Sequence, residues 1–530
     1  MKKLFITILA VATLLVGCKK SELKIDNPNQ ATTQQFWKTA TDAQKGINAI
    51  YSTYHRAGIS RWMHFLNIVR ADEGFSTSPA PWIRNYYDLF NYENYNDGLI
   101  SSLWEDCYIG VNRANQVLDN VPSISMDANL KQQYIGEAKF MRGVFYYLLA
   151  LHYGNVPVIL HQPKPSEYYP ANSTQDQVYS QAAQDFTDAS TTLPTTYDNA
   201  NKGRATKGAA FAMLGKVYMQ QKQWQKAKDA LQWLAEGPGT SVYSLVPNYR
   251  DNFVETSENN AESVFEFQNQ ANPIDAYDND AGDGNPNNTP DKLNYGTSIP
   301  PFFAPRPIGF TDGQAFRWVV WEFLKENQAN GQRDPRIAAT FLYDSTDEGG
   351  PNFTMVYGQT WTQRAATTPY SNDPGDPIGV ATNHTVYWRK FLDDATMNGE
   401  VFHSGNNYRF IRYADVLLLY AEALNALGQT TQAYPFVDKV RQRAGLKTLS
   451  SVMPGLSQAN FLTQLKHERM TELSGEGHRW EDLVRWGDLS SSLASKDPAF
   501  SHFQKNKHEL LPIPQFDLDN NPNLKQNPGY

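Results

Sequence analysis

The chain is poor in cysteine: only Cys18 and Cys107 occur in 530 residues. Once Cys18 is committed as described below, no intramolecular disulfide is possible, and the fold must be held by burial. Charge is scarce as well, with Asp, Glu, Lys and Arg together at 19% and a net charge of −8. That balance argues against nucleic acid or anionic surfaces as partners. Beyond the first 16 residues no stretch approaches 18 consecutive apolar residues, so nothing later in the chain crosses a bilayer as a helix. Catalytic signatures are missing too. There is no His-Glu-x-x-His, no Gly-x-Ser-x-Gly, no P-loop and no Rossmann glycine pattern. Paired-carboxylate glycosidase chemistry leaves little local signature and stays open as the enzymatic alternative.

The one apolar run is short and specific. Lys2 and Lys3 precede Leu4 to Val16, and Leu15-Val16-Gly17-Cys18 closes the run. It is too short to span a membrane and reads as a signal-peptide core. Small residues before a lone cysteine are what a lipoprotein signal peptidase needs, so residues 1–17 are expected to be removed and Cys18 to carry lipid. Residues 18–35 are polar and aperiodic and read as a tether.

Aromatic residues are abundant, at 13% with 12 Trp, 29 Tyr and 27 Phe, and Asn, Gln and Thr are frequent. Flat apolar faces beside neutral hydrogen-bonding groups suit neutral polyols, although large helical cores also use aromatics. Helical spacing recurs through Ala43, Ile47, Ile50 and Tyr54, through Leu103 to Leu118, and from about Ala128 to Tyr153, where Gly154-Asn155 stops it. Residues 176–190 are amphipathic, and 206–220 with 225–234 form a hairpin. There Leu214-Gly215, Tyr218, Ala227 and Leu231 match tetratricopeptide spacing, and Leu417 to Val440 repeats the match. A helix is expected over 319–330 and short strands at Val264–Gln268 and Val386–Arg389. The expected architecture is mostly α: one domain over 36–530 with tetratricopeptide-like hairpins as scaffold (about 36–240 and 405–490). A loop-rich, partly β insertion at about 240–405 would carry the ligand surface, and 491–530 would be a C-terminal strap.

Glu468, Glu472 and Glu476, spaced four apart, read as one helix face whose like charges need cations such as Arg469, Arg479 or Arg485. The favoured reading is a buried ion network rather than catalytic carboxylates or metal ligands. Asp275, Asp278, Asp280, Asp283 and Asp291 fail the EF-hand register and read as a solvated loop. No cofactor and no metal is expected.

Several short motifs carry a resemblance: Ala71-Asp72-Glu73, Trp104 with Tyr108, Ile109 and Asn112, Glu137 to Arg142, Arg333-Asp334-Pro335-Arg336, Arg412-Tyr413-Ala414-Asp415, and the closing Leu511-Pro512-Ile513-Pro514 and Asn527-Pro528-Gly529-Tyr530. In this order, with the cysteine-terminated leader and the interrupted hairpins, the mature chain resembles the RagB/SusD family of outer-membrane lipoproteins. The resemblance implies a non-enzymatic, surface-exposed protein that captures oligo- or polysaccharide and sits on a SusC-like TonB-dependent outer-membrane barrel. Lys19-Lys20-Ser21-Glu22 departs from the acidic residues that usually follow the lipidated cysteine, so surface exposure is implied by the family alone.

A pyranose ring offers an apolar C–H face and a rim of hydroxyls. The segment Asp72 to Asn94 combines partners for both in Asp72, Phe75, Trp82, Arg84, Asn85, Tyr86 and Tyr87, and it corresponds to a region where family members often place ligand contacts. Trp82 is the favoured stacking platform. Tyr295, Phe302, Phe303, Trp318 and Trp361 in the insertion are further candidates, and Trp104 is expected in the core.

Overall fold

Local capping sets where the helices begin and end. Thr39 and Asp42 form a reciprocal capping box at the start of α1, Ala40–Tyr51. Asp97 accepts from the Leu99 N–H to open α3, Gly98–Asn120. Gly154, at φ +71°, closes α4, Ala128–Tyr153, at the position its sequence marks. The computed structural model describes residues 36–76, 78, 83–271, 295–305, 308–343, 386–393, 404–496 and 498–530. The expectations for the leader, Cys18 and its tether, the aspartate-rich run, Trp82 and Trp361 lie outside the described residues.

Among those residues are 17 α-helices and three two-stranded antiparallel sheets. The remaining helices are α2 His64–Val69, α5 Gln175–Thr192, α6 Lys207–Gln220, α7 Trp224–Ala235, α8 Ile299–Phe303, α9 Arg317–Phe323, α10 Arg336–Thr340, α11 Tyr413–Ala426 and α12 Thr430–Arg443. They are followed by α13 Leu449–Val452, α14 Gln458–Leu473, α15 Arg479–Trp486, α16 Leu489–Lys496 and α17 Gln515–Asn520. The strands are β1 Gly74–Ser76, β2 Ser263–Phe267, β3 Gly313–Ala315, β4 Phe341–Tyr343, β5 Val386–Trp388 and β6 Tyr408–Arg412, paired β1–β3, β2–β6 and β4–β5. The mostly helical scaffold expected from the sequence is therefore present. One helix is shorter than its pattern: α9 stops at Phe323, because Asn330 and Gly331 turn the chain and Asn327 bridges back to Arg333.

The two tetratricopeptide-like hairpins, α6/α7 and α11/α12, lie far apart in sequence yet form one stack, with α7 packed on α11. The Tyr413 hydroxyl donates to the Leu234 carbonyl at 3.3 Å, and the Tyr420 hydroxyl to Glu236 at 2.8 Å. Helices α3, α4 and α5 extend the array on the other side of α6. Gly215 makes the first hairpin possible, since a Cβ there would overlap the Leu231 side chain. Overpacking a fitted core costs about 1–3 kcal/mol. Gly215→Val is accordingly expected to lower the unfolding free energy by that amount, read as a lower urea midpoint; an unchanged midpoint would mean that the two helices are not in contact there.

Candidate functional site

The insertion is fastened to the helical array by a lattice of buried ion pairs. Arg412, at the end of β6, is fully buried and reaches three carboxylates: Glu262 at 2.7 Å, Glu472 at 2.6 Å and Glu476 at 2.7 Å. Glu472 also receives Arg336 at 3.0 Å and Arg443, and Glu476 receives Lys390 at 2.6 Å. Glu468 pairs with Arg441. The expected ion network is thus real, but its cations are others. Arg469 is taken by Asp415 (2.9 Å) and Asp482 (2.7 Å), Arg479 by Asp72 (2.7 Å), and Arg485 by Glu422 (2.8 Å) and Asp482 (2.7 Å). Glu476 does not share the helix either. α14 ends at Leu473, and Glu476 sits in a turn between Gly475 and Gly477, both at positive φ. The surrounding guanidiniums hold the Glu472 and Glu476 carboxyls below the usual range despite burial. This arrangement leaves those carboxylates no open side for catalysis.

The same lattice explains where several sequence-named candidates went. Asp72 is wholly buried. Arg479 grips its two oxygens at 2.7 and 2.9 Å, and the Ser492 hydroxyl also donates to it, so its carboxylate anchors a loop and does not face a ligand. Phe75 is buried in β1, stacked on Phe316 at 4.7 Å, and Tyr86 is buried and stacked on Tyr92 at 6.2 Å. Arg84 is half-buried at the start of a helical turn, where its carbonyl accepts from the Leu89 N–H at 3.0 Å; Asn85 and Tyr87 lie in the same turn. Phe302 and Phe303 are core, as is Trp104. Trp318 is partly buried. Its indole N–H donates to the Asp72 carbonyl at 2.7 Å, and the Lys496 ammonium covers the ring at 4.0 Å. It props the Asp72 loop from beneath.

Tyr295 alone of the described candidates offers an open ring, 38% exposed and edge-on to His55 at 5.8 Å. It opens an aromatic ledge built from two segments. The Thr297 hydroxyl donates to the Ser60 carbonyl at 3.3 Å, tying this strand to the helical turn Gly58–Met63. From that turn Trp62 packs edge-on against Phe302 at 5.3 Å, and Phe302 in turn meets the exposed Phe310 at 5.8 Å. The Arg61 guanidinium lies 4.9 Å from the Trp62 ring and 5.4 Å from Phe302, which fixes both rings from below. The loop carrying Phe310 is strained: Thr311, a β-branched residue, holds φ +65°, with its hydroxyl donating to the Ala304 carbonyl at 3.1 Å. Strain of that kind collects at binding surfaces. Burial pushes the His55 imidazole down to about 4, so it is neutral at pH 7 and the ledge edge beside Tyr295 carries no imidazolium.

Sequence reasoning missed Trp62, Phe310 and the exposed Trp321. The available signal for Phe310 was its place after a proline-rich turn, where a core position is hard to build. Among the described residues two clusters have metal-type donor sets, Glu326/His467/Glu468 and Asp415/His478/Glu481. A side-chain cation already serves each, Arg441 in the first and Lys216 in the second.

Two family models cover nearly the whole chain: the SusD family over residues 239–530, and a model described as starch-binding associating with outer membrane over 26–219. The chain belongs to the SusD family. Outer-membrane association comes with the second match. Two SusD-like proteins of Formosa agariphila are similar. One is 27% identical over 449 residues (81% of this chain, 80% of the relative), and the other is 26% identical over 542 residues spanning both chains entirely. Among solved structures, a SusD superfamily protein from Bacteroides vulgatus is 26% identical with a TM-score of 0.78, covering 93% of this chain and 100% of that one. A laminarin-binding SusD-like protein is 27% identical with a TM-score of 0.73 and the same coverage.

Removing one partner of a buried pair costs about 3–5 kcal/mol. Asp72→Ala is expected to lower thermal stability on that scale, and an unaltered melting temperature would return Asp72 to the list of ligand contacts. The pH response has a definite sign. Burial holds the imidazoles of His64 and His152 down at about 3. These imidazoles therefore take stability away between pH 6.5 and 3 as pH falls, because only the unfolded chain takes up those protons. Glu73, Glu258 and Asp106, pushed up by burial to about 8, 7 and 6, protonate first in the fold and oppose the loss down to about pH 4. Below about pH 4.5 the depressed Glu472 and Glu476 carboxyls deepen the loss, because only the unfolded chain protonates there. Melting curves at pH 4.5, 4 and 3, where the depressed groups act without that opposition, check this, and a flat profile there would contradict it.

Proposed function

We propose that this SusD-family protein captures a neutral oligo- or polysaccharide on the ledge of Tyr295, Trp62 and Phe310 and passes it to a SusC-like TonB-dependent barrel without cleaving it. The observation that carries this reading is the ledge itself. Tyr295 and Phe310 are exposed and Trp62 partly so, on segments tied by the Thr297–Ser60 bond, with the buried Arg61 guanidinium against Trp62 and a neutral histidine beside Tyr295. Aromatic faces of this kind stack on the C–H faces of pyranose rings. Trp82, Asn85 and Trp361 complete the candidate set as further contacts.

Each stacking contact is weak. Anchoring at Cys18 would keep the protein at the membrane surface and raise the effective concentration of bound glycan at the transporter. Catalysis has no place in this reading, since the carboxylates of the C-terminal motif are locked in ion pairs. The starch-binding description of one family model and the laminarin-binding neighbour make soluble starch and laminarin the first glycans to try.

Isothermal titration tests the assignment. The Tyr295→Ala/Phe310→Ala double variant is expected to bind the preferred glycan about tenfold more weakly, a loss of about 1.4 kcal/mol, with its melting temperature unchanged. No reducing sugar should accumulate during prolonged incubation with the wild type. Undiminished affinity in the double variant, or release of sugar, would overturn the reading.

A further inference from the structure

A second groove lies on a part of the fold that shares no element with the ledge. One wall is a single face of α3, where Glu105, Tyr108, Ile109 and Asn112 recur at helical spacing. The other wall comes from the loop through Tyr168 and Tyr169 and from α17 with the strap behind it. The groove encloses about 530 Å³, within the range of small-ligand sites.

The walls are held rigidly. The Tyr108 hydroxyl donates to the Pro157 carbonyl at 2.8 Å. The strap clamps the tyrosine loop from outside, with the Asn521 amide donating to the Pro170 carbonyl at 2.8 Å and the Asn523 amide to the Tyr169 carbonyl at 2.6 Å. These bonds fix the backbone while leaving both rings, Tyr168 and Tyr169, 56% exposed at the mouth. Two adjacent tyrosines so placed on a pinned backbone are preorganised platforms, which spares a ligand the cost of ordering them.

The polar lining narrows the ligand class. Glu105 and Asp517 both line the groove: burial and the Asp517 charge raise the Glu105 carboxyl against the pull of Arg56, and burial raises Asp517 although the Trp104 indole donates to it. Asn520 stands on the same rim, and among the described residues no Lys or Arg lines the groove. Ionised, these carboxylates repel anions such as phosphate, sulfate or uronate, and in either protonation state they accept hydrogen bonds from neutral hydroxyl groups.

We infer that this groove is a second saccharide subsite, taking a neutral pyranose chain against Tyr168 and Tyr169 with its hydroxyls on Glu105, Asp517 and Asn520. The inference rests on the glycan-capture reading above and adds to it a second contact on the same polymer. A long glucan that bridges ledge and groove gains through effective concentration, and a short oligosaccharide does not.

The test titrates laminarin and soluble starch into detergent-solubilised full-length protein, as wild type, Tyr168→Ala/Tyr169→Ala, Glu105→Gln and Tyr295→Ala/Phe310→Ala. Removing the groove tyrosines is expected to weaken binding of the preferred glucan by about three- to tenfold. Glu105→Gln, which keeps size and hydrogen bonding, is expected to weaken it less, and to let a uronate-containing glycan such as alginate bind where the wild type excludes it. If the tyrosine variant binds as the wild type does while the ledge variant is weakened, capture stands and the groove is not a saccharide site. If that variant instead loses cross-linking to the barrel with glycan affinity intact, the groove is a protein contact and the inference falls. A wild type that binds neither glucan, nor any other neutral glycan of a wider panel, overturns both readings. Matching melting temperatures across the set guard against misfolding, and loss of fold in the double variant leaves Glu105→Gln to decide.

Discussion

The guanidinium of Arg412 is the point on which the architecture turns. It is fully buried, and its donors go to Glu262 beside β2, to Glu472 near the end of α14 and to Glu476 in the turn beyond. Those three carboxylates belong to the insertion and to the C-terminal helices, two parts of the chain that otherwise have no covalent reason to meet. Arginine suits the place because its planar fork can satisfy several carboxylates at once and cannot be deprotonated. With no disulfide available, a charged lattice of this depth takes over the task of setting the insertion's position. Such pairs gain little net stability over apolar packing but are costly to break singly, so their contribution is to geometry.

The ledge depends on that geometry. Its rings come from two segments remote in sequence, Tyr51 to Met63 and Tyr295 to Phe310, and each segment is irregular. The first runs through a 3₁₀ turn and a π-helical turn before α2; the second passes through a proline-rich helix and a residue at positive φ. Irregular backbone holds a fixed shape only when its surroundings over-determine it. Here α2 supplies one side through His64, whose Nε2 lies 3.1 Å from the Gly475 carbonyl in the turn that presents Glu476. The ion lattice, the glycine turn and the aromatic surface are therefore one connected construction, and the helical array behind them is the frame.

Much of the frame was legible in the sequence. Helical periodicity is local, so α1, α3, α4, α5 and both hairpins fall within a few residues of where the pattern places them, and Gly215 against Leu231 is the close approach that the tetratricopeptide spacing implies. Ion-pair partners were not legible. A run of Glu and Arg says that neutralisation is needed but not which cation arrives from elsewhere in the fold, and a glycine on each side of Glu476 changed its element. The same limit applies to the site. Asp72, Phe75 and Tyr86 have the composition of a sugar-binding loop, yet composition cannot say whether a segment faces in or out, and the fold buries all three. Phe310 was passed over beside Phe302 and Phe303, although it is the member of that group left exposed.

Hydrogen exchange read by mass spectrometry, with and without the preferred glucan, tests the central claim most directly. The account predicts slowed exchange in peptides covering residues 52–63 and 295–311, with the amides of α11 and α14 unchanged because the lattice already protects them. Protection that spares both ledge segments and appears along the α6/α7 and α11/α12 hairpins would contradict it.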